Sequence, residues 1–325
     1  MKSAIAGRDP VSIAERLAGE SVVDVQACAG GANNRVYRVR TRTGKFALKF
    51  YPTGSDERDR MNCEYAWLRF LGTHGVTQVP RALACDADAR AALYEWIEGG
   101  RVDTHGVDDV DRALGFLRSL HQLRDAPGAE GLSPAAEGFE TVAKLNAHLA
   151  GRIERLRAVA DEPALGTFLS AVLEPEFLRR SRASERPRDD PAARTLSPSD
   201  FSFHNALRRP GGEIAFLDFE YAGWDDPVKL TSDFLWHPGA VLDALERERF
   251  RAGAEALYGD DPDFAARLAA VFPLFGLKWA LIVLNDFLPE FRERRIASGD
   301  ERSWADAKTE QLGKASTLLA SIRRL

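Results

Sequence analysis

Apolar and polar residues alternate along three short runs near the N-terminus, SVVDVQACA, RVYRVRT and KFALKFY, all within Ser21 to Tyr51. Alternation at period two predicts strands with one packed face, and the intervening GGANN and RTGK carry the Gly and Asn that suit tight turns. The stretch reads as an antiparallel meander. From Ser55 the period lengthens: SDERDRMNCEYAWLRFLG sets Met61, Tyr65, Leu68 and Leu71 at helical spacing behind a capping Ser and acidic first-turn residues, and closes on Gly72. Two more strands are predicted around Arg81 to Cys85 and Ala91 to Trp96. Beyond Gly100 the pattern is mainly helical, with helices near 108–123, 138–159, 163–182, 239–257, 263–289 and 303–322. The exception is an island from Arg194 to Phe219, where LSPSD, NALRR and EIAFLDF read as short strands. SRASERPRDDPAAR before it reads as an exposed connection. The fold class predicted is α+β: an antiparallel β-rich lobe over 1–98, joined through one strand to a larger helical lobe over 99–325, with a cleft between them.

Composition narrows the function classes. A formal charge of -5 from 44 basic and 49 acidic residues, without a basic block, predicts no nucleic-acid or membrane partner. Cys28, Cys63 and Cys85 lack CxxC spacing and nearby histidines, so they read as reduced, mostly buried thiols. MKSAIAGRDPVS holds no apolar stretch of signal-peptide length. The most apolar segment, LAAVFPLFGLKWALIVL, is interrupted by Pro273, Gly276 and Lys278 and reads as a buried helix. A cytoplasmic protein is expected; the sequence does not fix its oligomeric state.

The chemistry concentrates in SDFSFHNALRRPGGEIAFLDFEYAGWDDP. Phosphoryl transfer from ATP needs a lysine on the phosphates, a carboxylate facing the acceptor hydroxyl, and oxygen ligands for Mg²⁺. Asp200 followed five residues later by Asn205 matches the spacing of a kinase catalytic loop. Asp218 ends the apolar run IAFL, where a strand would deliver a second metal ligand. Lys49, in FALKFY, shares a strand face with Ala47, opposite Leu48 and Phe50. Glu64 projects from the same helical face as Met61, Leu68 and Leu71, a costly place for a lone carboxylate. A Lys49–Glu64 pair would resolve that cost, and the rival Glu57 is already explained by its first-turn position. Gly30 and Gly31 would let backbone N–H groups approach phosphates, with Asn33 or Asn34 assisting.

With these residues in order, the chain resembles the aminoglycoside phosphotransferase and choline kinase superfamily over nearly its whole length. The resemblance is carried by GGANNRVYRV with Lys49, Glu64 in CEYAWLRFL, LYEWIEGG, LHQL at 120–123, the Asp200/Asn205 loop and LDFEYAGWDDP. It implies a protein-kinase-like fold, ATP with Mg²⁺, and transfer of the γ-phosphate to a small hydroxyl acceptor. Asp200 would be the catalytic carboxylate, Asn205 and Asp218 the metal ligands, and Lys49 the phosphate lysine fixed by Glu64. The hinge would lie at Tyr94 to Ile97, where the Glu95 carbonyl and the Ile97 N–H would pair with adenine. The loop departs from the family pattern, which has His-Gly before the Asp and often a second His two residues after it. Pro198, Ser199 and Ser202 stand at those positions, so support for the loop must come from elsewhere. That departure motivates the alternative of a nucleotide-binding pseudokinase.

The resemblance also implies an acceptor site in the helical lobe. Asp233 and Trp236 lie one helical turn apart, and Trp279 and Asp286 two turns apart. Carboxylates beside aromatic rings suit an ammonium group, so a cationic amino alcohol or amino sugar is expected ahead of a neutral sugar. Glu220 is a further candidate ligand for metal or water. Asp225 and Asp226, before Pro227, are expected to start a helix.

Overall fold

The computed structural model describes residues 9–28, 34–52, 58–160, 162–183, 194–297 and 302–325. In chain order these form α1 (Pro10–Ala18), β1 (Val22–Ala27), β2 (Arg35–Thr41), β3 (Lys45–Phe50), α2 (Arg60–Thr73), β4 (Ala82–Asp86), β5 (Ala91–Glu95), β6 (Gly100–Arg101) and α3 (Val107–Gln122). There follow α4 (Val142–Arg157), α5 (Pro163–Phe168), a π turn at Leu169–Leu173, α6 (Glu174–Ala183), β7 (Thr195–Ser197), β8 (Ala206–Arg208), β9 (Ile214–Phe216) and β10 (Gly223–Asp225). The chain ends in α7 (Pro227–Trp236), α8 (Ala244–Leu257), α9 (Phe264–Val283), α10 (Pro289–Ala297) and α11 (Trp304–Arg323). The fold is α+β, with an antiparallel sheet in the N-terminal part and helix through most of the remainder.

Two compact units result. One comprises 1–136 with 198–223, the other 137–197 with 224–325. The boundary expected at residue 98 falls between β5 and β6. Packing instead returns the 198–223 island to the N-terminal part.

In the first unit the five-stranded sheet runs β1-β2-β3-β5-β4, all neighbours antiparallel. Leu48 lies opposite Leu93, and together with Val39, Phe50 and Ala91 they pack against Ile13 and Ala14 of α1. The helical pattern did not flag α1, although its punctuation is written in the chain. Asp9 accepts from Val11 N and Ser12 N, Pro10 takes the first turn, and Gly19 closes it in a left-handed conformation. Helix α2 starts later than its expected Ser55; Asp59 caps it through Asn62 N, while Ser55 and Glu57 lie outside the described residues. A second sheet, β6-β8-β9, carries the island. It is stapled to α3 by Asp109, whose two oxygens accept from Arg208 at 2.8 and 3.0 Å.

In the second unit α9 is central and packs on α4, α6, α7 and α11. Every residue of α7 is buried. A Cβ at Gly276 would lie 2.8 Å from Ile322 Cγ1 and 2.9 Å from Trp236 Cε2, so the missing side chain is what lets α7 and α11 close on α9. The apolar segment is a helix as expected; Phe264–Phe287 is the one described stretch long and apolar enough to cross a membrane, and most of it is buried. The helix expected over 163–182 is present but passes through the π turn. The cysteines differ from expectation: Cys28 and Cys63 are half-buried and Cys85 is exposed. Cys85 sits on the outward side of the edge strand β4, where alternation points it away from the sheet's packed face.

Candidate active site

Lys49, on β3 opposite Val36 and Ala92, is 7% exposed. Its Nζ lies 2.6 Å from Glu64 Oε2 and 2.5 Å from Asp218 Oδ1. Burial alone would pull the ammonium down, but Asp218, Glu64 and Glu220 offset it and hold Lys49 well above the usual lysine range. The lysine is a fixed cation. Glu64, 3% exposed, is satisfied on both oxygens, accepting from Lys49 and the Tyr51 hydroxyl (2.7 Å) on Oε2 and from Phe219 N (3.2 Å) on Oε1. The Tyr51 hydroxyl also lies 2.7 Å from that of Tyr94. Burial pushes both phenols far above their ordinary range, so they stay protonated as hydrogen-bond donors.

Asp218 follows β9 with φ 66°, a left-handed conformation that Asp tolerates better than most residues. Leu217 N donates to Asn205 O at 2.8 Å, tying this turn to the 198–205 loop. Phe219 then inserts between Trp67 and Phe116. Backbone on one side and stacked rings on the other aim the Asp218 carboxylate, 38% exposed, at Lys49. Glu220, by contrast, is fully buried and accepts from Asn34 Nδ2 at 2.8 Å, with Arg60 at 3.4 Å. Burial raises its carboxyl above the ordinary range despite Lys49. Asn34 is therefore joined to Glu220; Gly30 and Gly31 lie outside the described residues.

The catalytic-type loop supplies the third group. Asn205 Nδ2 donates to the Asp200 carbonyl (3.1 Å) and to Asp200 Oδ2 (3.3 Å), and His204 Nε2 lies 3.7 Å from the same oxygen. The asparagine amide is thus spent on the aspartate, which leaves its carbonyl oxygen as a hard donor. The support that Pro198 and Ser202 do not offer comes from two buried rings. Phe201 packs on Phe216 (4.8 Å) and Phe116 (5.8 Å), and Phe203 stacks on His105 (4.7 Å). Ser199 takes φ 67°, and its carbonyl accepts from Phe201 N. The alternation FSF in the loop was the available signal for these anchors.

At the predicted hinge, Glu95 N donates to Arg81 O at 2.9 Å and the Glu95 side chain accepts from Arg81 N and Nε. Ile97 is buried, 5% exposed. In the second unit, Asp233 and Trp279 do meet, through a 2.9 Å bond from the indole N–H. Asp233 is already flanked by Lys229 (3.3 Å) and Lys278 (3.4 Å), and is 3% exposed. Trp236 is 4% exposed, stacks on Phe272 and donates to its carbonyl. Asp286 is buried and paired with Arg295. The expected acidic and aromatic lining for a cation is therefore engaged within its own unit, because Lys229 and Lys278 neutralise the carboxylate.

Comparison with curated protein sequences returns no match. Solved structures do match. Choline kinase from Streptococcus pneumoniae is 18% identical with a TM-score of 0.61, covering 95% of this chain and 98% of its own. Spectinomycin phosphotransferase, solved with ADP and spectinomycin, is 15% identical with a TM-score of 0.62, covering 95% and 97%. An aminoglycoside phosphotransferase solved with AMP-PNP and hygromycin B is 14% identical with a TM-score of 0.59, covering 96% and 97%. At these identities the likeness shows the fold, which is protein-kinase-like. The sequence itself is matched over residues 24–268 by the model of the phosphotransferase enzyme family, and with that the chain belongs to that family.

Proposed function

We propose that this protein is a cytoplasmic ATP- and Mg²⁺-dependent phosphotransferase that moves the γ-phosphate to a hydroxyl of a small molecule. The observation that carries the reading is the buried Lys49, held between Glu64 and Asp218 in the same unit as the Asp200–Asn205 pair. Lys49 presents a fixed positive charge to the α/β-phosphates, and Glu64 with Tyr51 keeps it in place. Asp200 orients the acceptor hydroxyl and takes its proton late, since a loose transition state asks for positioning and charge neutralisation more than for strong base chemistry. Asn205 fixes the Asp200 carboxylate through its amide.

The donor set fits magnesium: a partly exposed Asp218 carboxylate and the Asn205 carbonyl oxygen are hard oxygen ligands. Glu220 is committed to Asn34 and Arg60 and is the weaker candidate. When bound, Mg²⁺ neutralises charge on the β- and γ-phosphates.

Mg²⁺-dependent nucleotide binding tests the assignment. Asp218→Ala is expected to remove the metal dependence and weaken ATP binding; equal, Mg²⁺-dependent affinity in Asp218→Ala would overturn it. The pseudokinase alternative is favoured by Pro198 and Ser202 in the loop. It is separated by slow ATP hydrolysis measured against Lys49→Ala: stabilisation by ATP without phosphate release, with every acceptor tried, would select it.

A further inference from the structure

The second unit contains a cavity of about 150 Å³, walled by Glu137, Phe139, Leu145, His148, Phe275 and Lys278. Glu140 and Lys144, also at its edge, pair with each other. Lys278 does not fare so well. It is 5% exposed, yet its ammonium has only two ionic contacts among the described residues, Asp233 Oδ2 at 3.4 Å and Glu137 Oε2 at 3.8 Å. Asp233 is meanwhile shared with Lys229 and the Trp279 indole. The Phe275 ring centroid lies 5.8 Å from the ammonium, but a buried ammonium left with one long hydrogen bond is costly.

Glu137 stands at the mouth of the cavity, its side chain 43% exposed. Its Oε1 accepts from Arg152 at 2.6 Å, while Oε2 faces Lys278 at 3.8 Å and His148 Nε2 at 3.6 Å, both beyond hydrogen-bond length. His148 Nε2 already accepts from Arg152 Nε at 2.7 Å, so it cannot donate to Glu137. The glutamate is also held at φ 48°, a left-handed conformation that a non-glycine residue adopts at a cost.

An amphiprotic group closes the gap between Lys278 Nζ and Glu137 Oε2, because it accepts from the first and donates to the second. A hydroxyl does both. A ligand ammonium would oppose Lys278, and a ligand carboxylate would oppose Glu137. Phe139 and Phe275, edge to face at 5.6 Å, add apolar surface for a carbon chain. We propose that this cavity binds a small neutral polyol, with one hydroxyl bridging Lys278 and Glu137 and the carbon face against the two phenylalanines. The volume is about five water volumes, which suits a short linear polyol rather than an oligosaccharide. The inference does not depend on phosphotransfer, since its test contains no nucleotide.

Saturation-transfer NMR on the full chain, with erythritol and ribitol as probes and choline and butyrate as charged controls, reads this site. Saturable polyol binding is expected, weakened about tenfold in Glu137→Gln and in Lys278→Met by loss of one charge-assisted hydrogen bond. Lys278→Met leaves Asp233 with Lys229 and Trp279. Glu137→Asn guards against a folding artefact: asparagine suits the left-handed backbone, so its melting temperature should not fall while polyol binding does. Choline or butyrate binding as tightly as the polyols, unchanged polyol affinity in Glu137→Gln, or no saturable signal, meaning a cavity filled by water only, would each overturn the proposal.

Discussion

Glu64 shows how a buried carboxylate is made tolerable residue by residue: a lysine, a tyrosine hydroxyl and a backbone N–H meet its two oxygens. Tyr51→Phe removes the hydroxyl shared by Glu64 and Tyr94, and should cost about 1–3 kcal/mol, read as a lower urea midpoint with an unchanged slope. Glu64 was legible in the sequence because a charge on an apolar face demands a partner, and Lys49 was legible as that partner. Asp200 and Asn205 were legible from their spacing. Tyr51 and Tyr94 were not, because they are selected by contacts between segments far apart in the chain, and the Phe201 and Phe203 anchors had only the FSF alternation to announce them. The pairing of Asp233 was missed for a simpler reason. Lys229 stands four residues after Asp225 and four before Asp233, a helical spacing that announces internal neutralisation.

At the scale of elements, alternation and helical period gave the longer strands and most helices to within a few residues, while α1, α10 and the short strands β6 and β10 went unflagged and the π turn between α5 and α6 carries no period of its own. The staple between α3 and β8 positions the strand that follows Asn205. The Arg208 hydrogen bonds hold the Asp109 carboxyl below its ordinary value of 3.8. A depressed folded pKa means stability that is present above the unfolded value and is lost as pH falls through the folded one. Wild type should therefore lose stability below about pH 4, and Asp109→Asn should flatten that loss. At neutral pH the substitution should cost about 1–2 kcal/mol, discounted because the Arg208 side chain is a third exposed. Urea midpoints across that pH range check both statements.

For the whole molecule, the return of the 198–223 island to the N-terminal unit places Lys49, Glu64, Asp200, Asn205 and Asp218 in one compact body, although the chain leaves it for the 137–197 segment in between. That return could not be read from local pattern, since the island's short strands pair with β6 rather than with each other alone. In the other unit, Gly276→Val should destabilise by about 1–3 kcal/mol through overpacking against Trp236 and Ile322, visible as a lower melting temperature. The account rests on Asp200. Phosphate transfer from MgATP to a mixed panel of amino alcohols, sugars, nucleosides and aminoglycosides, followed by mass spectrometry in wild type and Asp200→Asn, tests it most directly. Wild type should form a phosphorylated product, and Asp200→Asn should form it about 10²–10⁴-fold more slowly with nucleotide affinity unchanged. Near-wild-type turnover by Asp200→Asn would contradict the account.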